Sequence, residues 1–438
     1  MMTEKHNSSG LWSPPENFIQ VNSQVPGVIV YAPKPPETDK DDIKSYTCPN
    51  CGANIAYDVS AGGVACEYCG YVAPVPSMTI GKAADEFEFT LETVSQSKQG
   101  WGIERQVLHC DSCGGELSIA PGNLTTTCPF CASNQVNVTT SMEETLRPRY
   151  LVPFKISRED ATQLAADWLG KGWFRPKELN PNAVLRRFNG IYLPFWTFDT
   201  AIDARWKAQV GYEKTVRHYN AAQKRWETRK KIDWRWEDGD VYFNVDDLLI
   251  TGSSSRQINH NYLEKIKPYN MGELVAYEPD YLAGWQAQAY QTTLTEAWED
   301  AKRIIREQAK IACHQDIPTH HVRNFSMSAD FADESWRYIL LPVYLATYRF
   351  ENEPYQLILN GQTGAVAGQK PVAWWKVWLV IAALLSPGMI LGFVGVTLTL
   401  LADAGAGAIA LGVIAFVIGL ILSMLLYQKI TRLEGKRG

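Results

Sequence analysis

Beyond residue 376 the alternation of apolar and polar positions stops. Residues 377–401 and 404–427 are apolar on every face, and Asp403 is the one charged residue between Lys376 and Lys429. Each stretch is long enough to cross ~30 Å of hydrocarbon at 1.5 Å per residue. A soluble core helix is rarely apolar all round over such a length. The pattern predicts a transmembrane helical hairpin over 373–428 that turns at Asp403, followed by a basic tail, 429–438. Pro387-Gly388 should kink the first helix, and Gly388-x-x-x-Gly392 lets another helix approach closely, either its own neighbour or that of a second copy.

Upstream the periodicities are shorter. Ser157-Arg-Glu-Asp160 ahead of an apolar-periodic stretch predicts a helix start. A second helix should begin near Thr293, with Glu296 three residues on, Trp298, Ala301, Ile305 and Ala312 on its apolar face and a Glu299–Arg303 pair outside. Residues 191–212 alternate and are rich in aromatic and β-branched types, which predicts a strand. Residues 214–243 read as a hairpin turning near Asn220-Ala-Ala-Gln223, and 336–350 and 355–360 as strands around Glu351-Asn-Glu-Pro354. Many strands with only two clear helices place 146–372 in the α+β class. The 438 residues fit two or three folded units at ~150 residues each.

Composition divides the remainder. Residues 1–47 carry Pro14, Pro15, Pro26, Pro33, Pro35 and Pro36 among polar residues, which predicts a disordered leader. Its start lacks the basic-then-apolar run of a signal peptide, so the bulk of the chain is expected in the cytosol, where thiols stay reduced.

Eight of the nine cysteines form four C-x-x-C pairs, and Cys313 is left over. Cys48, Cys51, Cys66 and Cys69 make one module, and Cys110, Cys113, Cys128 and Cys131 make a second with the same internal spacing. Two residues between thiolates let one tight turn aim both sulfurs at one metal, and two such turns close a tetrahedron. Four thiolates suit Zn²⁺, with rubredoxin-type iron as the rival. The expectation is two structural Zn²⁺ ions in zinc ribbons at 48–71 and 109–145, separated by a linker, 72–108, with Glu86-Phe87-Glu88-Phe89 alternating as a strand would. Glycine follows three of the four pairs, whereas Ala132 follows the fourth. Four protein ligands leave no open position for catalysis.

Charge then narrows the function. The net charge is −5, and neither cysteine module holds a Lys or Arg, so nucleic-acid binding by the modules is not expected. The basic cluster of the soluble part is Lys214, Arg217, Lys224, Arg225, Arg229, Lys230, Lys231 and Arg235, interleaved with Tyr219, Trp226 and Trp234. It reads as the solvated face of a hairpin, then as a contact for anionic headgroups or single-stranded nucleic acid. His314, His320 and His321 beside Cys313 match no metal motif and read as a solvated loop. Phosphate-loop, nucleophile-elbow and metalloprotease signatures are absent from the sequence, so no enzyme is expected. Lys376, Lys429, Arg432, Lys436 and Arg437 lie at the outer ends of the hairpin and none at its turn. The positive-inside rule then places both termini and the soluble domains in the cytosol, with Trp374, Trp375, Trp378 and Tyr427 as an interfacial belt on a multi-pass protein of the cytoplasmic membrane.

The paired cysteine modules, Leu151-Val-Pro-Phe-Lys-Ile-Ser157, Gly190-Ile-Tyr-Leu-Pro-Phe-Trp196, Tyr281-Leu-Ala-Gly284, Leu359-Asn-Gly-Gln-Thr-Gly364 and the terminal hairpin together resemble prokaryotic membrane proteins with zinc ribbons of the transcription-factor-IIB type, some of which carry a helicase-like label. The resemblance implies a membrane adaptor with protein partners such as PspA-like or SPFH-domain proteins, working in envelope stress. The alternative is a membrane-tethered nucleic-acid-binding regulator.

Overall fold

The computed structural model describes residues 18–21, 30–33, 46–76, 79–81, 87–88, 106–119, 128–131, 133–139, 146–177, 179, 188–220, 224–254, 258–351, 353–402 and 405–434. Residues 1–43 form one unit and 44–438 another. In the first, β1 (Phe18–Val21) and β2 (Val30–Pro33) pair antiparallel, Phe18 opposite Pro33. The leader expected to be disordered therefore holds a short ladder. Its Ile, Val, Phe and Tyr are good ladder residues, which the proline count overlooked.

The second unit opens with a small sheet of β3 (Ala56–Asp58), β4 (Gly63–Ala65) and β5 (Val72–Pro74). Then come β6 (Phe87–Glu88), β7 (Gln106–Cys110), β8 (Glu116–Ile119), β9 (Val136–Thr139) and β10 (Tyr150–Leu151). Helix α1 (Arg158–Gly170) precedes the hairpin of β11 (Asn189–Asn220) and β12 (Arg225–Thr251). Next are α2 (His260–Ile266), β13 (Val275–Ala276), β14 (Gln286–Ala287) and α3 (Leu294–Asp316). The body closes with β15 (Val322–Phe350), β16 (Glu353–Asn360) and β17 (Val366–Gly368).

These strands build one large mixed sheet. Its path runs β13, β10, β15, β11, β14, β8, β7, β9, with β12 on β11, β6 and β16 on β15, and β17 on β16. The segments predicted as separate strands at 191–212 and 336–350 are parts of much longer ones. β11 and β12 stay in register almost throughout, from Phe195 opposite Thr251 to Asn220 opposite Arg225. β11 pairs with β15 from Asn189 to Val210. Near its start β11 is buried on both faces, with Ile191, Tyr192, Leu193, Phe195, Trp196 and Phe198 in the core. Farther out Ile202, Ala204, Trp206, Ala208 and Val210 are buried on the face toward α3, while Asp203, Arg205, Lys207 and Gln209 between them are not. The ribbon thus leaves the body with one covered face and one open face.

The two predicted helix starts hold. Ser157 Oγ accepts the N–H of Asp160 at 3.1 Å, and Thr293 with Glu296 closes a full capping box. The core face of α3 is Leu294, Ala297, Trp298, Ala301, Ile305, Ala309 and Cys313, while Ala312 is half-buried. The expected Glu299–Arg303 pair is replaced by Glu299–Lys302 and Asp300–Arg303, one residue closer along the helix. Helix α2 went unpredicted, because seven residues are too few for a period to declare itself.

At the C-terminus α4 (Trp374–Ala402) and α5 (Ala406–Glu434) are both long and apolar enough to span a membrane, with mean hydropathies of 2.3 and 2.9. The expected turn at Asp403 lies outside the described residues. The helices run antiparallel through a glycine seam. A Cβ on Gly388 would meet the Phe416 backbone at 2.5 Å, and one on Gly395 the Ile409 backbone at 2.6 Å. From α5, a Cβ on Gly412 would meet Gly392 at 2.6 Å, and Gly419 abuts the Leu384 carbonyl. Close approach therefore rests on glycines seven apart, 388 with 395 and 412 with 419. Gly392 contributes only its backbone. Lys376 Nζ donates to the carbonyls of Trp173 and Arg175, and the Ala373 N–H to that of Phe174, so α4 starts against the loop after α1. Trp374 meets Tyr427 at 5.7 Å between ring centroids.

Candidate metal centres and the basic hairpin

Each described C-x-x-C turn is shaped by its own backbone. Gly52, Gly70 and Gly114 sit at φ of 74°, 73° and 68°, a region that costs glycine nothing. Their N–H groups return to the carbonyls of Cys48, Cys66 and Cys110 at 2.9, 3.0 and 2.8 Å. Ala132 lies outside the described residues. These turns gather Cys48, Cys51, Cys66 and Cys69 into one cluster, and Cys110, Cys113, Cys128 and Cys131 into another. Neighbouring sulfurs stand 3.4 to 3.7 Å apart. That is too long for a disulfide and close to the ~3.8 Å edge of a tetrahedron with ~2.3 Å metal–sulfur bonds. All nine cysteines are free thiols.

The thiols are already unequal. A hydrogen bond from the Cys128 side chain, helped by the Gly115 N–H, holds Cys113 down to about 5, and the same bond, with burial added, pushes Cys128 up. Cys66 is drawn to about 7, chiefly by the Cys69 N–H. The backbone donors around Cys66 and Cys113 favour the thiolate form that a metal ligand needs.

The clusters are embedded differently. In the first, Cys48 and Cys66 are buried while Cys51 and Cys69 are exposed. It leans on the 280–285 segment. The Tyr57 N–H donates to the Ala283 carbonyl at 2.9 Å, Tyr57 packs on Tyr281 at 5.1 Å, and Gly284, at φ 74°, lets Ala56 approach. The second cluster belongs to the large sheet. β8 pairs with β14 through Ser118 and Ala287, and Thr347 Oγ1 donates to the carbonyls of Pro129 and Phe130. Its strands β7, β8 and β9 therefore belong to the same sheet as the mixed domain. One stretch, 281–287, touches both cysteine modules, through Ala56 and Tyr57 of the first and Ser118 of the second, and lies a few residues before the cap of α3.

The remaining histidines do not join a metal cluster among the described residues. His314 stacks on Phe325 at 4.2 Å, and His321 faces Glu213 at 3.3 Å. Cys313 is a core residue of α3, where burial raises its thiol pKa.

The basic cluster forms the free end of the β11–β12 ribbon. Half of its cations have partners: Lys214 and Arg235 with Asp233, Arg225 with Glu227, and Lys230 with Glu213. Among the described residues Arg217, Lys224, Arg229 and Lys231 make no ion pair. Alternation puts Trp226, Trp234, Trp236 and Tyr242 on the open face of the sheet. Trp226, Trp236 and Tyr242 are 68%, 55% and 68% exposed. Arg323 stacks over Trp234 at 4.1 Å and Lys207 over Trp236 at 5.7 Å.

One ionic cluster was not anticipated. Arg337, 3% exposed, donates to Asp199 at 3.0 Å and to Asp247 at 2.8 Å. Asp247 stands at φ 53°, its N–H donates to Asp199, and the β11–β12 register slips between Phe198 and Thr200. Asp246 completes a group of three carboxylates. The guanidinium already supplies the cation, and the cluster fixes the bulge where the ribbon leaves the body. The three partners are scattered over 138 residues of sequence, so no local pattern could reveal them.

The fold and its sites thus define a mixed α/β chain with two tetracysteine clusters able to hold metal and two C-terminal helices able to cross a membrane. No protein-family model matches it, and no solved structure does. It is similar to the Bacillus subtilis (strain 168) protein named "Uncharacterized protein YdjG", at 28% identity over 344 residues, covering 76% of this chain and 92% of that protein.

Proposed function

We propose that the protein is a membrane-anchored, non-enzymatic adaptor whose tetracysteine clusters are zinc ribbons holding one structural Zn²⁺ each. The observation that carries this reading is the open face of the β11–β12–β15 ribbon. It displays Trp226, Trp236 and Tyr242 to solvent in a chain that ends in two membrane-spanning candidates. Exposed aromatics on a rigid sheet are costly unless a partner covers them. Four thiolates per cluster saturate a zinc ion and favour bracing over catalysis. With the body on the cytosolic side, as the basic residues flanking the hairpin favour, the ribbon is a platform for cytosolic proteins at the membrane. PspA-like or SPFH-domain proteins in envelope-stress assemblies are the partners that the sequence resemblance favours. Capture of the full chain from detergent-solubilised native membranes tests the reading. A specific protein should co-purify with the natural chain and be lost from a Trp236→Ala, Tyr242→Ala variant that keeps both metals. Equal recovery with both chains, or no specific protein with either, rejects it.

A further inference from the structure

We propose that a second copy of this chain pairs with the outer edge of β12, strand antiparallel to strand, about a two-fold axis at Trp234. The inference goes beyond the adaptor reading and does not depend on it.

The edge is long and open. β12 pairs with β11 on one side, and among the described residues no strand takes its other side. From 225 to 243 none of its residues is buried. Proteins usually blunt such an edge with charged side chains, proline, bulges or a covering element. Here the charges are sorted by sign along the strand. Residues 225–235 hold Arg225, Arg229, Lys230, Lys231 and Arg235 against Glu227 and Asp233. Residues 237–247 hold Glu237, Asp238, Asp240, Asp246 and Asp247 and no cation. A strand that is basic at one end and acidic at the other complements its own copy run antiparallel. An axis perpendicular to the sheet also keeps like faces together.

One register satisfies this throughout. With Trp234 opposite Trp234, Lys230 faces Asp238 of the second copy, Lys231 faces Glu237, and Arg235 faces Asp233. Each of these contacts occurs twice, and no like charges face each other. On the open face Trp226 meets Tyr242 and Ile232 meets Trp236. Such cross-strand pairs are the units that stabilise a ladder. A shift of two residues either way loses the facing of Lys230 with Asp238 and of Lys231 with Glu237. Helix α3 supplies a second, independent feature. Ile304, Gln308 and Ile311 form one stripe along it, Ile304 and Ile311 are exposed, and Gln308 lines the groove beside 244–249 of β12. Ile304 and Ile311 lie on the same side of α3 as Gln308, next to the end of the paired edge, where the second copy's ribbon end would cover them. Pairing over 225–243 engages about 60 Å of edge at ~3.3 Å per residue. At ~10 Å depth that gives about 1,200 Å² in total, the lower bound of a standard interface.

The test is the mass of the full chain in detergent micelles, measured over a concentration series. The natural chain should be a dimer. A Lys230→Glu, Lys231→Glu chain and a Glu237→Lys, Asp238→Lys chain should each associate at least about tenfold more weakly, since four attractive contacts become repulsive. An equimolar mixture of the two should recover the dimer. Metal content and thermal unfolding confirm that both variants are folded. As a second readout, Trp234→Cys should oxidise to a 234–234 cross-link identified by peptide mass, since facing residues lie within disulfide range. A monomeric natural chain, dimers indifferent to both reversals, or a natural chain that gains mass only with duplex DNA or anionic vesicles would each overturn the proposal.

Discussion

The indole N–H of Trp285 donates to the main-chain oxygen of Tyr57 at 3.0 Å, joining the first cysteine module to the body across 228 residues of sequence. The same ring stacks on Phe154 at 4.2 Å. Trp285→Phe keeps most of the stacking and loses the hydrogen bond, a cost of about 1 kcal/mol. Trp285→Ala empties the site and should cost about 3 kcal/mol. Thermal unfolding in detergent should rank the natural chain above the Phe variant and the Phe variant above the Ala variant. A chelator should strip metal from the first cluster fastest in the Ala variant.

Metal analysis of the purified chain should return two zinc ions per chain, with no visible absorption. Cys66→Ser should leave one, because each cluster carries its own four ligands. Cys313→Ser should leave two. Protons compete with metal for thiolates, so metal is held at neutral pH and lost as pH falls, with half-loss well below the value of about 7 at Cys66 once the ion is bound. A content of one ion in the natural chain, or the visible absorption of iron, would contradict the assignment.

Removing the guanidinium of Arg337 leaves Asp199 and Asp247 facing each other at the bulge. Breaking a buried ion pair on one side typically costs about 3–5 kcal/mol. Arg337→Met should therefore be strongly destabilising, and Arg337→Lys less so, since it keeps the charge but cannot bridge both carboxylates as well. Denaturant unfolding of the full chain measures both. A loss below about 1 kcal/mol for the Met variant would mean that the carboxylates take up protons at little cost.

Orientation in the membrane can be read with reporters. A reporter active only outside the cytoplasm, fused after Gly438, should stay silent, and a cytosolic one should work. The opposite pattern would place the reduced thiols of both clusters in an oxidising compartment and undo the zinc assignment as well.

Features with a local cause were legible in the sequence. The C-x-x-C turns, the caps at Ser157 and Thr293 and the apolar hairpin each follow from a few adjacent residues, and each appears in the structure. Strand lengths were not legible. β11 runs on to Asn220 past the predicted end at 212, and its pairing with β12 is what carries the ladder there. The position of the second cysteine module within the large sheet depends on Ala287 meeting Ser118, a contact that no periodicity announces.

The short stretch from Tyr281 to Ala287 has a consequence of its own. It receives the first cluster through Ala283 and Trp285, the second through Ala287, and ends a few residues before the Thr293 cap of α3. Both cysteine modules therefore rest on one short segment, and a disturbance of either would reach the start of α3 through the same few residues.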